Sequence, residues 1–141
     1  MLNPKLKELS EKIQSAGLRQ KVKKSLDNPT FSLDGKLYTG PAFDVSPGRI
    51  THHHNYQSGY IEHVVATWKI AFGLCDAVED VYGGKVDRDY VTAGVLLHDI
   101  FKPVTYVEVE NGEFAFAPLS DYLDHISLAT GSLSEETFPS N

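Results

Sequence analysis

His98 and Asp99 stand side by side in a strongly apolar run, VTAGVLLHDIF. A carboxylate next to an imidazole is costly to bury without partners. A metal ion solves that problem, because it accepts imidazole nitrogen and carboxylate oxygen together and compensates the charge. A core histidine bonded to a backbone carbonyl, with Asp99 paired to Lys102 one turn later, solves it too. On the pair alone the two solutions weigh about equally. His63 shifts the balance. It lies in HHHNYQSGYIEH, beside Ile61 and Val64 at the edge of an apolar helical stripe, and so can look inward at the segment carrying His98. Two histidines and an aspartate from two packed helices leave coordination positions open to solvent or substrate, as catalytic sites do and closed structural sites do not. Mixed nitrogen and oxygen ligands suit Fe, Mn, Ni, Co or Zn better than Ca.

Other residues read more plainly. His52 and His53 are solvated loop residues, although a loop near an anionic substrate suits them. Glu62 is an exposed helical glutamate before it is an orienting group for His63. Arg49 carries a guanidinium fork that can grip phosphate, but its loop setting makes it a surface charge first. Trp68, Phe72 and Cys75 fall on the apolar stripe and belong to the core. There is no P-loop, dinucleotide fingerprint or Cys-x-x-Cys pair.

The elements that must hold these groups follow from periodicity. Leu6, Leu9 and Ile13 predict a first helix after Asn3-Pro4, ended or interrupted at Gly17, and Val22 and Leu26 predict a second that stops at Asn28-Pro29. Residues 28–57 read as a loop or irregular hairpin with Asp34-Gly35 as its tight turn. Residues 58–82 carry the strongest helical pattern: Ile61, Val64, Val65, Trp68, Ala71, Phe72, Cys75 and Val78 on one stripe, Ser58 as cap and Gly83-Gly84 as terminator. A third long helix starts near Asp87 or Asp89, runs through the His98-Asp99 pair and stops at Pro103. It is apolar nearly all round and therefore central. Alternation about Asn111-Gly112 predicts a β-hairpin. Ser120 or Asp121 opens a last helix through Tyr122, Leu123, Ile126 and Leu128, and after Gly131 the tail holds a cap at Ser134 and a stop at Pro139. The class is mainly α with a small β-hairpin.

The chain of 141 residues fits one domain, 1–141: N-terminal helices over 1–27, a loop over 28–57 and a metal-site core over 58–141. Its 41% apolar and 23% charged residues exclude a disordered tail and a membrane bundle. No apolar run approaches the ~20 residues of a membrane helix, and the charged start lacks a signal peptide's apolar stretch. A lone cysteine, Cys75, excludes an intrachain disulfide, which leaves the cytoplasm as the default. The net charge of -6 divides into +5 over residues 1–24 and -11 over the rest. An acidic body argues against tight binding to long nucleic acid, while a small phosphate ester held through a metal ion stays open.

His63, then His98-Asp99 with Ile100 and Lys102 behind it, resembles the HD-domain metal-dependent phosphohydrolases. The longer strings HHHNYQSGYIEH and LLHDIFKP resemble a subgroup that includes HD-domain 3′-to-5′ exoribonucleases and archaeal phosphodiesterases of dihydroneopterin cyclic phosphate. The hairpin after the pair and LDHISLA fit it too, so the match covers roughly residues 50–130. The resemblance implies an HD-like helical bundle with metal ligands at His63, His98 and Asp99, and His125 at the position that binds a second ion in two-metal members. It implies that Lys102 and His54 face the substrate phosphate. The family's last aspartate ligand has no counterpart in the expected context. Asp121 and Asp124 are the downstream aspartates, and either truncation or shortening accounts for the departure.

These readings lead to a phosphodiesterase or phosphomonoesterase acting on a small nucleotide-like or pterin-like phosphate ester. One or two transition-metal ions serve it, with Asp99 and Lys102 as catalytic groups. The competing expectations are a noncatalytic HD-like binding domain and a fragment of an RNA exonuclease. A homo-oligomer is left open.

Overall fold

Asn3 opens the first helix, α1 (Pro4–Ser10), by accepting the backbone N–H of Lys5 at 2.8 Å on its side chain. The computed structural model describes residues 2–27 and 29–134. Leu6 and Leu9 point into the core, as their spacing requires. The helix ends at Ser10, one turn before its apolar pattern does. Ile13 is nonetheless fully buried, in a turn whose backbone N–H groups at Gln14 and Ser15 donate to the Asp89 carboxylate at 2.8 and 2.7 Å. Gly17 is therefore no terminator: it lies inside α2 (Ala16–Asp27), which buries Leu18, Val22 and Leu26. β1 (Phe31–Leu33) and β2 (Lys36–Tyr38) form the expected hairpin, with Asp34 at φ 49° and Gly35 at φ 75° in its turn.

α3 (Gly59–Tyr82) is the longest helix and ends at Gly83, whose φ of 67° lets its N–H return to the Glu79 carbonyl. Ser58 precedes it but does not cap it. Its backbone is left-handed at φ 68° and its hydroxyl donates instead to the Asp44 carbonyl. α4 (Arg88–Leu97) is capped by Asp87 and packs on α1, α2 and α3, the central position its composition predicts. Trp68 of α3 ties to it, donating from Nε1 to Thr92 Oγ1 at 3.1 Å. Arg88, the first residue of α4, reaches the Phe72 carbonyl and the Asp76 and Glu79 carboxylates, so α4 lies along α3 into its second half. Val78, expected on the core stripe, is 42% exposed, and Ile70, Leu74 and Val81, on a different face of the helix from Val64, Trp68 and Cys75, are 62–69% exposed.

α4 does not run through the His98-Asp99 pair. Its last residue is Leu97, and His98 to Lys102 form a tight turn in which Lys102 N–H bonds the Asp99 carbonyl at 2.8 Å. A 3-10 turn (Pro103–Thr105) follows, because Pro103 cannot continue the helix. Gly40 packs against this turn so closely that a Cβ there would sit 2.0 Å from the Pro103 carbonyl oxygen. β3 (Tyr106–Glu108) and β4 (Phe114–Phe116) make the second hairpin about Asn111-Gly112.

The last helix, α5 (His125–Ser134), starts later than its apolar pattern suggests. Ser120 and Asp121 belong to a 3-10 turn (Pro118–Asp121), and Asp124 is the residue that caps α5, accepting the N–H groups of Ile126 and Ser127 at 2.8 and 2.9 Å. Leu128 and Ala129 face the core, whereas Tyr122 and Ile126 are exposed. Gly131 lies inside α5, Ser134 is the helix's last residue rather than a cap, and Pro139 falls outside the described residues. No helix among the described residues is long and apolar enough to cross a membrane.

Candidate metal centre

Asp99 is buried, with only 5% of its surface exposed, and four side chains converge on it. Its Oδ2 lies 3.0 Å from His63 Nε2, 3.2 Å from His98 Nε2 and 2.5 Å from Lys102 Nζ, and its Oδ1 lies 3.2 Å from His125 Nε2. Each partner comes from a different local device. His63 is on the first turns of α3, His98 caps α4, Lys102 closes the turn after it, and His125 is the first residue of α5. The Asp99–Lys102 pair and the histidine cluster, which the sequence offers as alternatives, therefore coexist. Burial pushes the Asp99 carboxyl up, but the bonds from His125, His63, His98 and Lys102 outweigh it and hold the group well below the usual carboxylate range. The same Asp99 bond raises the pKa of His98 against the opposing effect of burial. His98 Nδ1 is turned to the Val95 carbonyl at 2.7 Å, which leaves Nε2 for the site.

The donor set fits a divalent cation. The ligand atoms of His63, His98 and Asp99 lie within 4.8 Å of one another. Ligand bonds of ~2.0–2.2 Å let one ion reach all three with a small side-chain adjustment. His53, His54 and His63 form a second, overlapping group of the same compactness. His54 holds a left-handed backbone, φ 58°, and its Nδ1 is one of two buried side-chain polar atoms without a hydrogen-bond partner among the described residues; the other is the Tyr60 hydroxyl. Burial first, then the Asp99 charge, raises the pKa of Tyr60 and pushes Tyr106 up to about 12, so both phenols stay protonated beside the carboxylate.

His63, His98, Asp99, Lys102 and His125 thus stand together, and His54 stands beside them with its ring 5.8 Å from that of His63. Asp124 caps α5, as described above. His52 is exposed and pairs with Thr51, and the Glu62 carboxylate accepts the Tyr56 hydroxyl, so neither joins the cluster. His53, expected as a solvated loop residue, is exposed, and its ring also lies 5.8 Å from that of His63. The run of three histidines before His63 was the available signal. An apolar cleft of about 680 Å³ opens beside His98 and Asp99, lined among others by Leu18, Tyr90, Leu97, Ile126 and Leu133.

Residues 60–139 match the family model described as HD domain. The chain belongs to the HD domain family. The match takes in α3 from its second residue and the whole of α4 and α5, so it covers His63, His98 and His125. The dihydroneopterin 2′,3′-cyclic phosphate phosphodiesterase of Methanocaldococcus jannaschii is 42% identical over 135 residues, 96% of this chain and 54% of the relative. The 3′-5′ exoribonuclease YhaM of Listeria welshimeri is 39% identical over 69 residues, 49% of this chain and 20% of that protein. The chain therefore spans about half the length of the phosphodiesterase and a fifth of the exoribonuclease. No solved structure gives a match.

Proposed function

We propose that this HD domain is the hydrolytic unit, residues 1–141, of a cytoplasmic metal-dependent phosphohydrolase. It acts on a phosphodiester or phosphomonoester of a small nucleotide-like or pterin-like molecule. The observation that carries the reading is the convergence of His63, His98 and His125 on one buried carboxylate, Asp99. His63, His98 and Asp99 hold a divalent transition ion, with Fe, Mn, Ni, Co and Zn all suited to the set, and His125 serves a second or auxiliary position. A bound ion supplies Lewis acidity towards the phosphoryl oxygens and lowers the pKa of water into the neutral range.

The chain's own groups do the rest. Asp99 orients the attacking water with the carboxylate that also ligates. Lys102, held 2.5 Å from Asp99, offers positive charge and His54 an imidazole N–H where the phosphoryl oxygens develop negative charge. Water adds to phosphorus and gives up a proton to solvent, the bond to the ester oxygen breaks, and the leaving oxygen takes a proton from solvent. The apolar cleft beside His98 offers surface to the non-phosphate part of the substrate, within the usual size of a ligand pocket. The substrate class follows from the similarity to the cyclic phosphate phosphodiesterase, which covers 96% of this chain.

The test is hydrolysis of a bis-aryl phosphodiester, an aryl phosphomonoester and a single-stranded RNA, each with metal and with chelator. Metal-dependent cleavage of a small ester supports the reading. Cleavage of RNA alone replaces it with a nuclease, and a metal-loaded protein that cleaves none of the three replaces it with a binding domain.

A further inference from the structure

The loop before α3 is built to hold its histidines still. Gly48 N–H donates to the His54 carbonyl at 2.8 Å, and Tyr60 N–H returns to Ser46 at 3.1 Å. A Cβ on Gly59 would lie 2.1 Å from the His54 oxygen, and one on Gly48 would lie 2.8 Å from His54 Cβ. Two backbone crossings therefore clamp His54 in its left-handed conformation. His53 follows from that clamp. Its ring is exposed, 5.1 Å from the His54 ring and 5.8 Å from the His63 ring. Arg49, also exposed, is next to the clamped Gly48.

Two occupants suit a solvent-facing imidazole in that place. One is a second cation shared by His53, His54 and His63. The charges oppose it. The group of His53, His54 and His63 holds no carboxylate, and Asp99, the acid that meets His63, is already engaged by four donors. A cation held by His53 would have no carboxylate of its own and would compete for His63. A tetrahedral oxyanion meets the opposite situation: the exposed His53 imidazole beside His63, and the exposed Arg49 guanidinium from the residue next to clamped Gly48, both able to donate.

We propose that His53 and Arg49 form the phosphate-recognising arm of this site, contacting substrate oxygens and no metal. The inference rests on the hydrolase reading above for its substrate. It adds that the loop recognises the phosphoryl group itself rather than the molecule attached to it, and therefore also binds inorganic phosphate.

Inorganic phosphate is titrated calorimetrically into zinc-loaded wild-type protein and into His53→Ala, His53→Gln, Arg49→Ala and Arg49→Lys. Zinc content is measured on the same samples. The expected result is a phosphate Kd raised about tenfold in both alanine variants, the scale of one charge-assisted hydrogen bond. Arg49→Lys recovers part of the loss, and the zinc-to-protein ratio stays at the wild-type value throughout. Loss of zinc in both His53 variants makes His53 a metal ligand and overturns the proposal, as does an unchanged phosphate Kd. Ester hydrolysis separates the two readings. Phosphate binding through His53 and Arg49 without any ester cleavage keeps the anion arm and removes the hydrolase. Cleavage with a wild-type KM in both alanine variants keeps the hydrolase and removes the arm.

Discussion

The Nε2 of His125 lies 3.2 Å from Oδ1 of Asp99, the oxygen that His63, His98 and Lys102 leave free. One carboxylate thus addresses two sets of partners through two oxygens, the geometry a bridging ligand needs. If His125 serves a second ion, His125→Ala lowers the metal content from about two ions per chain to about one, as the ligand division implies. Elemental analysis decides it: equal content in both proteins, with equal activity, takes His125 out of the site.

Asp99→Asn preserves shape but removes the charge that holds the cation. Metal occupancy and ester hydrolysis are expected to fall by far more than thermal stability. A purely structural Asp99–Lys102 pair gives the reverse, a lowered Tm with metal content unchanged. Occupancy, Tm and hydrolysis measured on the same two preparations distinguish the outcomes.

Metal bound to the folded chain stabilises it by mass action, about 2.7 kcal/mol at a free concentration of 100 times Kd. Chelation should therefore lower Tm, and adding the ion back should restore it. A Tm indifferent to chelator, together with no metal by elemental analysis, contradicts the donor set as a cation site.

Two glycines give opposite expectations. Gly59→Ala forces a methyl to within 2.1 Å of the His54 carbonyl oxygen, and a contact that close to backbone makes the chain shift, at a cost of about 1–3 kcal/mol or more. Gly73, exposed on α3, has nothing within 4 Å of where a Cβ would stand, so Gly73→Ala should stabilise by about 0.5–1 kcal/mol. Urea unfolding of both variants reads the signs directly.

The cap of α5 carries a pH dependence. The backbone N–H and hydroxyl of Ser127, then the N–H of Ile126, lower the Asp124 pKa. A depressed folded pKa means that the stabilisation is fully present above the unfolded value, about 3.9, and is lost as pH falls through the folded one. Asp124→Asn keeps a capping oxygen without that titration, so its Tm should fall less steeply than wild type below about pH 4. Parallel slopes in the two proteins dismiss the effect.

The parts of the fold written in local patterns were legible. Asn111-Gly112 and Asp34-Gly35 each specify a hairpin turn through φ values that few other residues accept, and Gly83 ends α3 for the same reason. Helix ends set by competition were not. α4 stops at Leu97 although VTAGVLLHDIF continues to read as helix, because His98 and Asp99 turn to meet partners from α3 and α5 that no local window contains. The exposure of His53 was legible, but its nearness to His63 was not. Its sequence neighbours are polar and solvated, and only the crossing of Gly48 against His54 brings its ring over His63. The Asp99 cluster was readable because a histidine and an aspartate in an apolar run need a reason to be there.

The termination of α4 at His98 also fixes a direction for the field in the site. Peptide dipoles along a helix sum to a negative pole at the C-terminal end, equivalent to roughly half an elementary charge and contributing about 0.3–1 kcal/mol to a nearby cation. That pole lies at His98, where the histidine–aspartate turn begins, while Arg49 belongs to the loop that carries His53. The backbone and the side chains therefore set up one electrostatic gradient, drawing a cation down towards α4 and an anion in over the loop. An anion entering this gradient is oriented before it touches any single residue, and its approach should weaken as added salt shortens the reach of the field.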